Sequence, residues 1–275
     1  MGRIEGNRHA GRGALKRCVE SALRVISAMT PPSIFEWGER FCAVAQGKGW
    51  GTATIATEVS ACLALLHSRP ESFVDIGANV GNYTAEVLKR CPDVRCLVIE
   101  PAKLNMSKLR ERFGGQPHMA LRQCALASES GHRTLYSDIE GSGLASLTKR
   151  DLVHRDIDME LREAVQTMRF DELSSTWPMP GGRIDYVKID VEGHELEVLA
   201  GFGERLRQVR LVQFEFGGCN IDTRTFMRDF WTFFDKNGFL LYRITASGPR
   251  RIWRYSEALE FFVTTNFVAV NGALM

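Results

Sequence analysis

The chain has 275 residues, 44% apolar and 25% charged, with 35 Lys and Arg against 33 Asp and Glu. That length holds one elaborated domain, or one domain with a small appendage. The near-balanced charge excludes a global field that would draw in a polyanion, so nucleic acid is not an expected partner.

Seven cysteines (Cys18, Cys42, Cys62, Cys91, Cys96, Cys124, Cys219) are odd in number and form no C-x-x-C pair. That pattern suits reduced thiols in a cytoplasmic protein and argues against a zinc cluster. No apolar run approaches the ~18 residues of a membrane span, and the N-terminus lacks the apolar core of a secretory signal. Arg3, Arg8, Arg12, Lys16 and Arg17 face only Glu5 there, which reads as a flexible basic tail.

Along the chain, Leu15, Cys18, Val19, Ala22, Ile26 and Met29 recur at helical spacing over 13–29, and Pro31-Pro32 ends the run. A second helix is expected over 56–68, closed by Arg69-Pro70. Together they read as an N-terminal tail and helical cap (1–70) ahead of a catalytic domain (71–275). From residue 72 short apolar runs alternate with helical segments, the pattern of a parallel sheet covered by helices. Strands are expected at 72–77, 94–100, 119–127, 184–190 and 210–216, near 239–244 and near 266–270. Helices are expected at 82–90, 103–113, 194–202 and 223–237. A hairpin near 132–136, a polar stretch over 137–162 and an extended 164–170 leading into a short helix lie between. Phe226, Phe230, Phe233 and Phe234 form a core stripe on the late helix, with Trp231 off that face. Trp50 and Trp253 are possible acceptor contacts that nothing in the sequence selects.

The first strand runs into FVDIGANVGNYT (73–84), with Gly77 and Gly81 in the turn before a helix, where bare backbone admits a ligand at the helix N-terminus. The spacing is G-x-x-x-G, and Asn79 fills the position that dinucleotide enzymes keep as glycine for a pyrophosphate. Asp75, at the strand end, would repel a pyrophosphate but suits a cationic ligand, and S-adenosylmethionine carries both a sulfonium and an ammonium. An NAD-type oxidoreductase is the weaker reading. Glu100 ends the second strand, where Rossmann geometry sets an acid against ribose hydroxyls, and Pro101 directs the chain away. Cys124 and Ala125, small residues at the end of the third strand, leave room for a flat ring.

A dense polar group, Lys188, Asp190, Glu192, His194 and Glu195, runs off the fourth core strand into a helix start, the edge at which open α/β sheets bind ligands. His194 is the candidate general base, and Asp190 the carboxylate hardest to assign to structure alone. Glu192 and Glu195 could instead complement the helix dipole. Asp190 and Glu215, at adjacent strand ends, could hold Mg²⁺, though no third ligand is fixed by spacing. An amino-methylating nucleobase enzyme would carry Pro-Pro and an aromatic where this chain reads Asp190-Val191-Glu192-Gly193.

VDIGANVGNYT with IEP (99–101), and DYVKIDVEGHELEVLAG (185–201) followed by QFEF (213–216), resemble the FkbM-type methyltransferases from about Val74 to Val270. The resemblance implies an α/β, Rossmann-like class I methyltransferase with a mostly parallel seven-stranded sheet, helices on both faces and a final antiparallel strand. It also implies O-methylation of a hydroxyl on a sugar, glycolipid or natural product, a small-molecule or glycan acceptor. Asp75, Gly77, Asn79, Gly81 and Thr84 would then surround the methionine part, with Ala78 and Asn82 in the same loop. Glu100 would meet the ribose, and Asp190 the methyl group. The alternatives are a binding module that kept the fold without the reaction and an N-methyltransferase of another small molecule. The 137–162 segment is expected to act as a lid over the acceptor, the competing view being a disordered insertion.

Overall fold

The computed structural model describes residues 18–50, 54–177 and 180–274. It divides into two compact units, residues 1–46 and 47–275. The basic tail and residues 13–17 of the first expected helix lie outside the described residues.

The first unit contains α1 (residues 18–29) and α2 (Pro32–Ala45), with Pro32 opening α2, where its missing N–H costs no hydrogen bond. Nearly every described side chain of this unit is exposed, Ala43 being the buried residue of α2.

In the second unit the elements run α3 (Ile55–Leu66), β1 (Ser72–Ile76), α4 (Asn82–Arg90), β2 (Arg95–Ile99), α5 (Lys103–Phe113), β3 (Met119–Arg122), β4 (Ala125–Leu126), β5 (Gly131–Ser137), β6 (Leu161–Met168) and α6 (Phe170–Ser174). They continue with β7 (Ile184–Ile189), α7 (Glu195–Gly201), β8 (Val209–Phe216), α8 (Cys219–Thr223), α9 (Met227–Lys236), β9 (Phe239–Thr245), β10 (Gly248–Arg251) and β11 (Thr265–Asn271).

The main sheet has the order β10-β9-β11-β8-β7-β1-β2-β3. β3, β2, β1, β7 and β8 run parallel, β11 is antiparallel to both β8 and β9, and β10 is antiparallel to β9. The central strands are buried on both faces because apolar side chains alternate between two cores. Leu97 and Ile99 of β2 join the core under α7 and α9, with Val198, Phe230 and Phe234. Cys96 and Val98 of the same strand join the core under α3, α4 and α5, with Cys62, Val87 and Leu109. The chain order reverses between β1 and β7, and a crevice opens at their C-terminal ends, where this fold class binds its ligands.

Three expectations change. The sheet has eight strands, because β10 adds an edge hairpin to β9 that the polar run Pro249-Arg250-Arg251 did not suggest. The third strand stops at Arg122, whose carbonyl accepts from Glu100 N at 3.1 Å. Cys124 to Leu126 then leave the main sheet, and β4 pairs parallel with β6, which also pairs antiparallel with β5 along its whole length. In the phenylalanine stripe Phe230 and Phe234 are buried and Phe233 partly so, but Phe226 precedes the helix and is 44% exposed.

Candidate active site

The turn after β1 is fixed by main-chain contacts. Gly77 N and Ala78 N donate to Ile99 O at 3.0 and 3.1 Å, and Asp190 N donates to Ile76 O at 3.0 Å, so the ends of β1, β2 and β7 are tied together. A Cβ on Gly77 would lie 1.8 Å from the Asp190 carbonyl, and its φ is +79°. Gly77 is therefore required by the approach of Asp190. Gly81 (φ +79°) is required by packing, since a Cβ there would strike Phe113 and Leu109 of α5. The two glycines thus serve the protein's own contacts and leave the loop between them to a ligand. Asn79 takes φ +50°, a conformation asparagine tolerates, and its N donates to Glu100 Oε2 at 2.8 Å.

Three cavities meet at this crevice. The first, of about 580 Å³, is walled by Ile99, Leu126, Leu135 and Leu147 on apolar sides, by Cys124 and Ala125, and by Gly77, Asn79, Glu100, Pro101, Asn105, Asp190 and Glu192. Glu100 Oε1 also accepts from Ala102 N at 3.0 Å, and burial pushes its carboxyl up to about 7 against these hydrogen bonds. Beside it, Asn105 Oδ1 is buried with no partner. An apolar slot ending in a carboxylate and an unfilled acceptor fits a flat ring carrying a diol, so these residues fit the adenosyl part of S-adenosylmethionine.

The second cavity, of about 730 Å³, shares Gly77, Asn79 and Asp190 with the first and adds Glu58, Asp75, Ala78, Asn82, Lys188, Glu215 and Asn266. Asp75 is fully buried and accepts from Thr84 Oγ1 at 2.5 Å. Burial pushes its carboxyl up to about 6, with the Thr84 bond and Lys188 opposing. Thr84 is itself buried and reaches this site only through Asp75. Lys188 Nζ donates to Asp190 Oδ2 at 2.8 Å and lies 5.3 Å from the centre of the Tyr83 ring. Burial alone would lower the Lys188 pKa, but Asp190 and Glu58 outweigh it, so the ammonium is held above its ordinary range. Glu58 accepts from Thr54 Oγ1 and Gln213 Nε2, both at 2.6 Å, and burial raises its carboxyl. Several acids around one ammonium suit a ligand end that bears both a cation and a carboxylate.

The third cavity, of about 990 Å³, lies beyond Glu192 and Glu215, which it shares with the first and second respectively. Its other walls are Leu144, Arg150, Leu152, Cys219, Asp222 and Phe262 together with rim residues of the 151–155 turn. Glu192 stands at φ +53°. Arg150, whose side chain is 4% exposed, holds Glu192 through Nη1 and Asp222 Oδ2 through Nε at 3.2 Å. Burial first, then Asp190, pushes the Glu192 carboxyl up to about 8, with Arg150 opposing, and Glu215 is raised by burial and by Asp190.

The polar stretch between β5 and β6 is folded over the first and third of these cavities. Tyr136 bridges to Ser146, Ser146 Oγ donates to Glu192 O at 2.9 Å, and Ser142, Gly143 and Ala145 to Leu147 line the first cavity while Leu144 and Arg150 to Leu152 line the third. His194 lies under the same stretch on the wall of the first cavity. Its Nε2 is 3.0 Å from Thr148 Oγ1 and its Nδ1 3.3 Å from Glu197, and burial lowers its pKa. Both ring nitrogens are thus engaged. Glu195 is buried and accepts from Val191 N and Gly193 N at 3.2 and 3.1 Å, shaping the loop that carries Glu192.

Asp190 and Glu215 do face one cavity, but Lys188 already neutralises Asp190. Among the described residues no three His, Cys, Asp or Glu side chains gather as metal ligands. The pair does not fit a divalent ion, because the Lys188 ammonium already takes Asp190 and burial holds the Glu215 carboxyl toward its protonated form. Three contributors were missed in the sequence: Asn105, Arg150 and Glu58. Only Glu58 left a signal, as the lone acid of the apolar helix α3.

The Methyltransferase FkbM domain family matches residues 75–241. Among curated proteins, the hexuronic acid methyltransferase AglP of Haloferax volcanii is 27% identical over 67% of this chain and 74% of its own length. The 2-O-methyltransferase NoeI of Sinorhizobium fredii is 26% identical over 56% of this chain and 66% of its own. Methyltransferase sdnD of Sordaria araneosa is 26% identical over 52% of this chain and 64% of its own. The chain thus spans about two thirds of the length of these relatives.

Proposed function

This chain belongs to the FkbM methyltransferase family, and on that premise we propose that it is an S-adenosylmethionine-dependent O-methyltransferase acting on a hydroxyl of a sugar, glycolipid or natural-product acceptor. One observation carries the reading: the adenosyl-shaped cavity and the acidic cavity share Gly77, Asn79 and Asp190, and the wall of both toward the third cavity is made of carboxylates. Bound S-adenosylmethionine supplies an electrophilic methyl group. Glu100 and Asn105 would hold the ribose, and Asp75 and Glu58 the ammonium end.

An aliphatic hydroxyl needs alignment and loss of its proton. Lys188 fixes Asp190 at the meeting point of the first two cavities. Glu192, which faces both the first and third cavities, is the group best placed to take the acceptor's proton as the C–O bond forms and the bond from the methyl carbon to sulfur breaks, with S-adenosylhomocysteine as the leaving group. His194 braces the Glu192 loop against Thr148. The 137–162 segment, which lines the first and third cavities, would exclude water there, and that placement supports the lid reading. The sugar-directed names of AglP and NoeI favour a saccharide hydroxyl, with the free acceptor a small molecule or glycan.

The test is to incubate the full chain with S-adenosylmethionine and a panel of uronic-acid saccharides, neutral sugars and hydroxylated natural products. Mass spectrometry should find a gain of about 14 Da on one class. Calorimetry that detects no S-adenosylmethionine binding would overturn the reading, and tight binding with no methylated product across the panel would leave the binding-module alternative.

A further inference from the structure

A polar row crosses the middle of the parallel sheet. Asp75 on β1, Lys188 on β7 and Gln213 on β8 are register partners on adjacent strands, all three buried on the face that α3 and α4 cover. Val98 and Val268 continue the row on either side as apolar core. Polar groups buried in such a place are costly unless each is bonded. Asp75 and Lys188 line the second cavity, and Gln213 lies one side chain behind it, bonded to Glu58 and Asn266, which both line it. Both ends of the Gln213 amide are used. Tyr83, Tyr186 and Cys62 bond to Oε1, the last two at 3.0 and 3.1 Å, and Nε2 donates to Glu58 Oε2 at 2.6 Å and to Asn266 Oδ1 at 3.1 Å. Burial pushes the Cys62 thiol up to about 12, so it stays a donor. Hydroxyls and a thiol on one side and acceptors on the other fix the amide with its NH₂ toward Glu58.

We propose that Gln213 is a positioning residue for the amino-acid end of the cofactor: it seats α3 on the sheet so that the Glu58 carboxylate stands at the wall of the second cavity, where an ammonium group would meet it. This rests on the S-adenosylmethionine reading above and adds to it that a residue behind the cavity wall sets part of the affinity. Cys62 and Glu58 are one helical turn apart on one face of α3 and meet opposite ends of the same amide, so the helix can neither turn nor slide without losing both bonds. Glu58, the acid of this helix, needs help to stay ionised, because burial raises its carboxyl and Lys188, Thr54 and Gln213 oppose that rise. Thr54 bonds to Oε1 and Gln213 to Oε2, which leaves the carboxylate lone pairs for an ammonium.

Two probes separate the parts of the site: S-adenosylhomocysteine carries the amino-acid end, and methylthioadenosine lacks it. In calorimetry on the full chain, Gln213→Met should raise the Kd of S-adenosylhomocysteine about 10-fold or more and leave that of methylthioadenosine within about twofold. Glu58→Gln should show the same split, and adding Gln213→Met to it should change either Kd by less than about twofold, because the two residues act as one unit. Wild-type protein that binds neither probe would overturn the S-adenosylmethionine reading itself. Binding of methylthioadenosine alone, equal weakening of both probes in Gln213→Met, unchanged affinity for S-adenosylhomocysteine, or additive losses in the double variant would overturn this proposal and leave that reading standing. If the wild type binds S-adenosylhomocysteine alone, the double variant decides. If Gln213→Met does not fold, the side-chain amide signal of Gln213 in heteronuclear NMR spectra of the wild type decides. A shift with S-adenosylhomocysteine that methylthioadenosine does not produce supports the positioning role, and no shift, or the same shift with both, refutes it.

Discussion

The cavities on either side of Glu192 are built in opposite ways. On the side of the first cavity the inner walls, with Glu100 and Asn105, are set by main-chain hydrogen bonds among the ends of β1, β2 and β7, and the excursion between β5 and β6 adds only an outer wall through Ser142, Gly143 and Ala145 to Leu147. On the far side the walls come from the excursion between β5 and β6 and from α8, held by the ionic cluster of Arg150, Glu192 and Asp222. One side tolerates no change in its backbone, while the other can be rebuilt by exchanging side chains.

The strongest way to break this comparison is at Gly77. Its Cβ would overlap the Asp190 carbonyl and its φ is left-handed, so Gly77→Ala should cost at least ~3 kcal/mol. For a unit of this size that lowers Tm by about 6–12 °C, with loss of S-adenosylmethionine binding. Gly143→Ala is the control. Its Cβ would meet only the end of the Asn79 side chain, at 3.2 Å, so it should cost less than ~1 kcal/mol. Equal losses in differential scanning calorimetry would show that the corner is not the rigid side.

Arg150→Met tests the other side. It strands two carboxylates, but Glu192 can protonate, so the cost should fall below the ~3–5 kcal/mol of a broken buried pair, at about 2–3 kcal/mol. The acceptor KM should rise at least ~10-fold, while the Kd for S-adenosylmethionine stays within about twofold by calorimetry. A parallel loss of both would merge the two cavities into one cooperative site.

The same division explains what could be read from the sequence. Asp75, Gly77, Asn79, Glu100 and Asp190 stand at the ends of short apolar strands, and local pattern alone brings them to one edge of the sheet. The reason for the glycines was not legible, because Phe113 and the Asp190 carbonyl are distant in sequence. Cys124 to Leu126 continue the apolar pattern of β3, and only the presence of β6 draws them into a second sheet. Arg150 is one charge among many in a polar stretch, and its two partners come from the loop after β7 and from α8. Glu58 meets Gln213 from 155 positions away.

A smaller effect concerns pH. Asp75, Glu100, Glu195 and Glu192 have folded values raised to about 6, 7, 7 and 8, above the usual carboxylate range. A raised carboxyl favours the folded state while it is protonated, so this contribution is full below about pH 4.5 and is lost as pH rises through 6 to 8. His194, whose value is lowered, acts in the opposite sense below its ordinary range, but it is one group against four. The ligand-free protein should therefore lose stability between pH 5 and 8. Glu100→Gln should remove about one proton from that dependence, up to ~1.4 kcal/mol per pH unit of slope, and weaken S-adenosylmethionine binding by about 10-fold or more. A Tm that is flat or rises over this range would mean that these carboxyls are ionised in the folded protein.

The smallest expected effect is at His194. If it served as the base, His194→Gln would lower turnover by about 100-fold or more. With Nδ1 facing Glu197 and Nε2 facing Thr148, the side chain acts on the Glu192 loop, and glutamine can keep one of those bonds. The expected loss in kcat is then under ~10-fold, accompanied by little change in the pH profile, whereas Glu192→Gln should remove the profile's acidic limb along with most of the activity. A collapse of activity in His194→Gln with Glu192→Gln nearly unaffected would move the proton-accepting role to the adenosyl side and reverse the assignment of the two cavities.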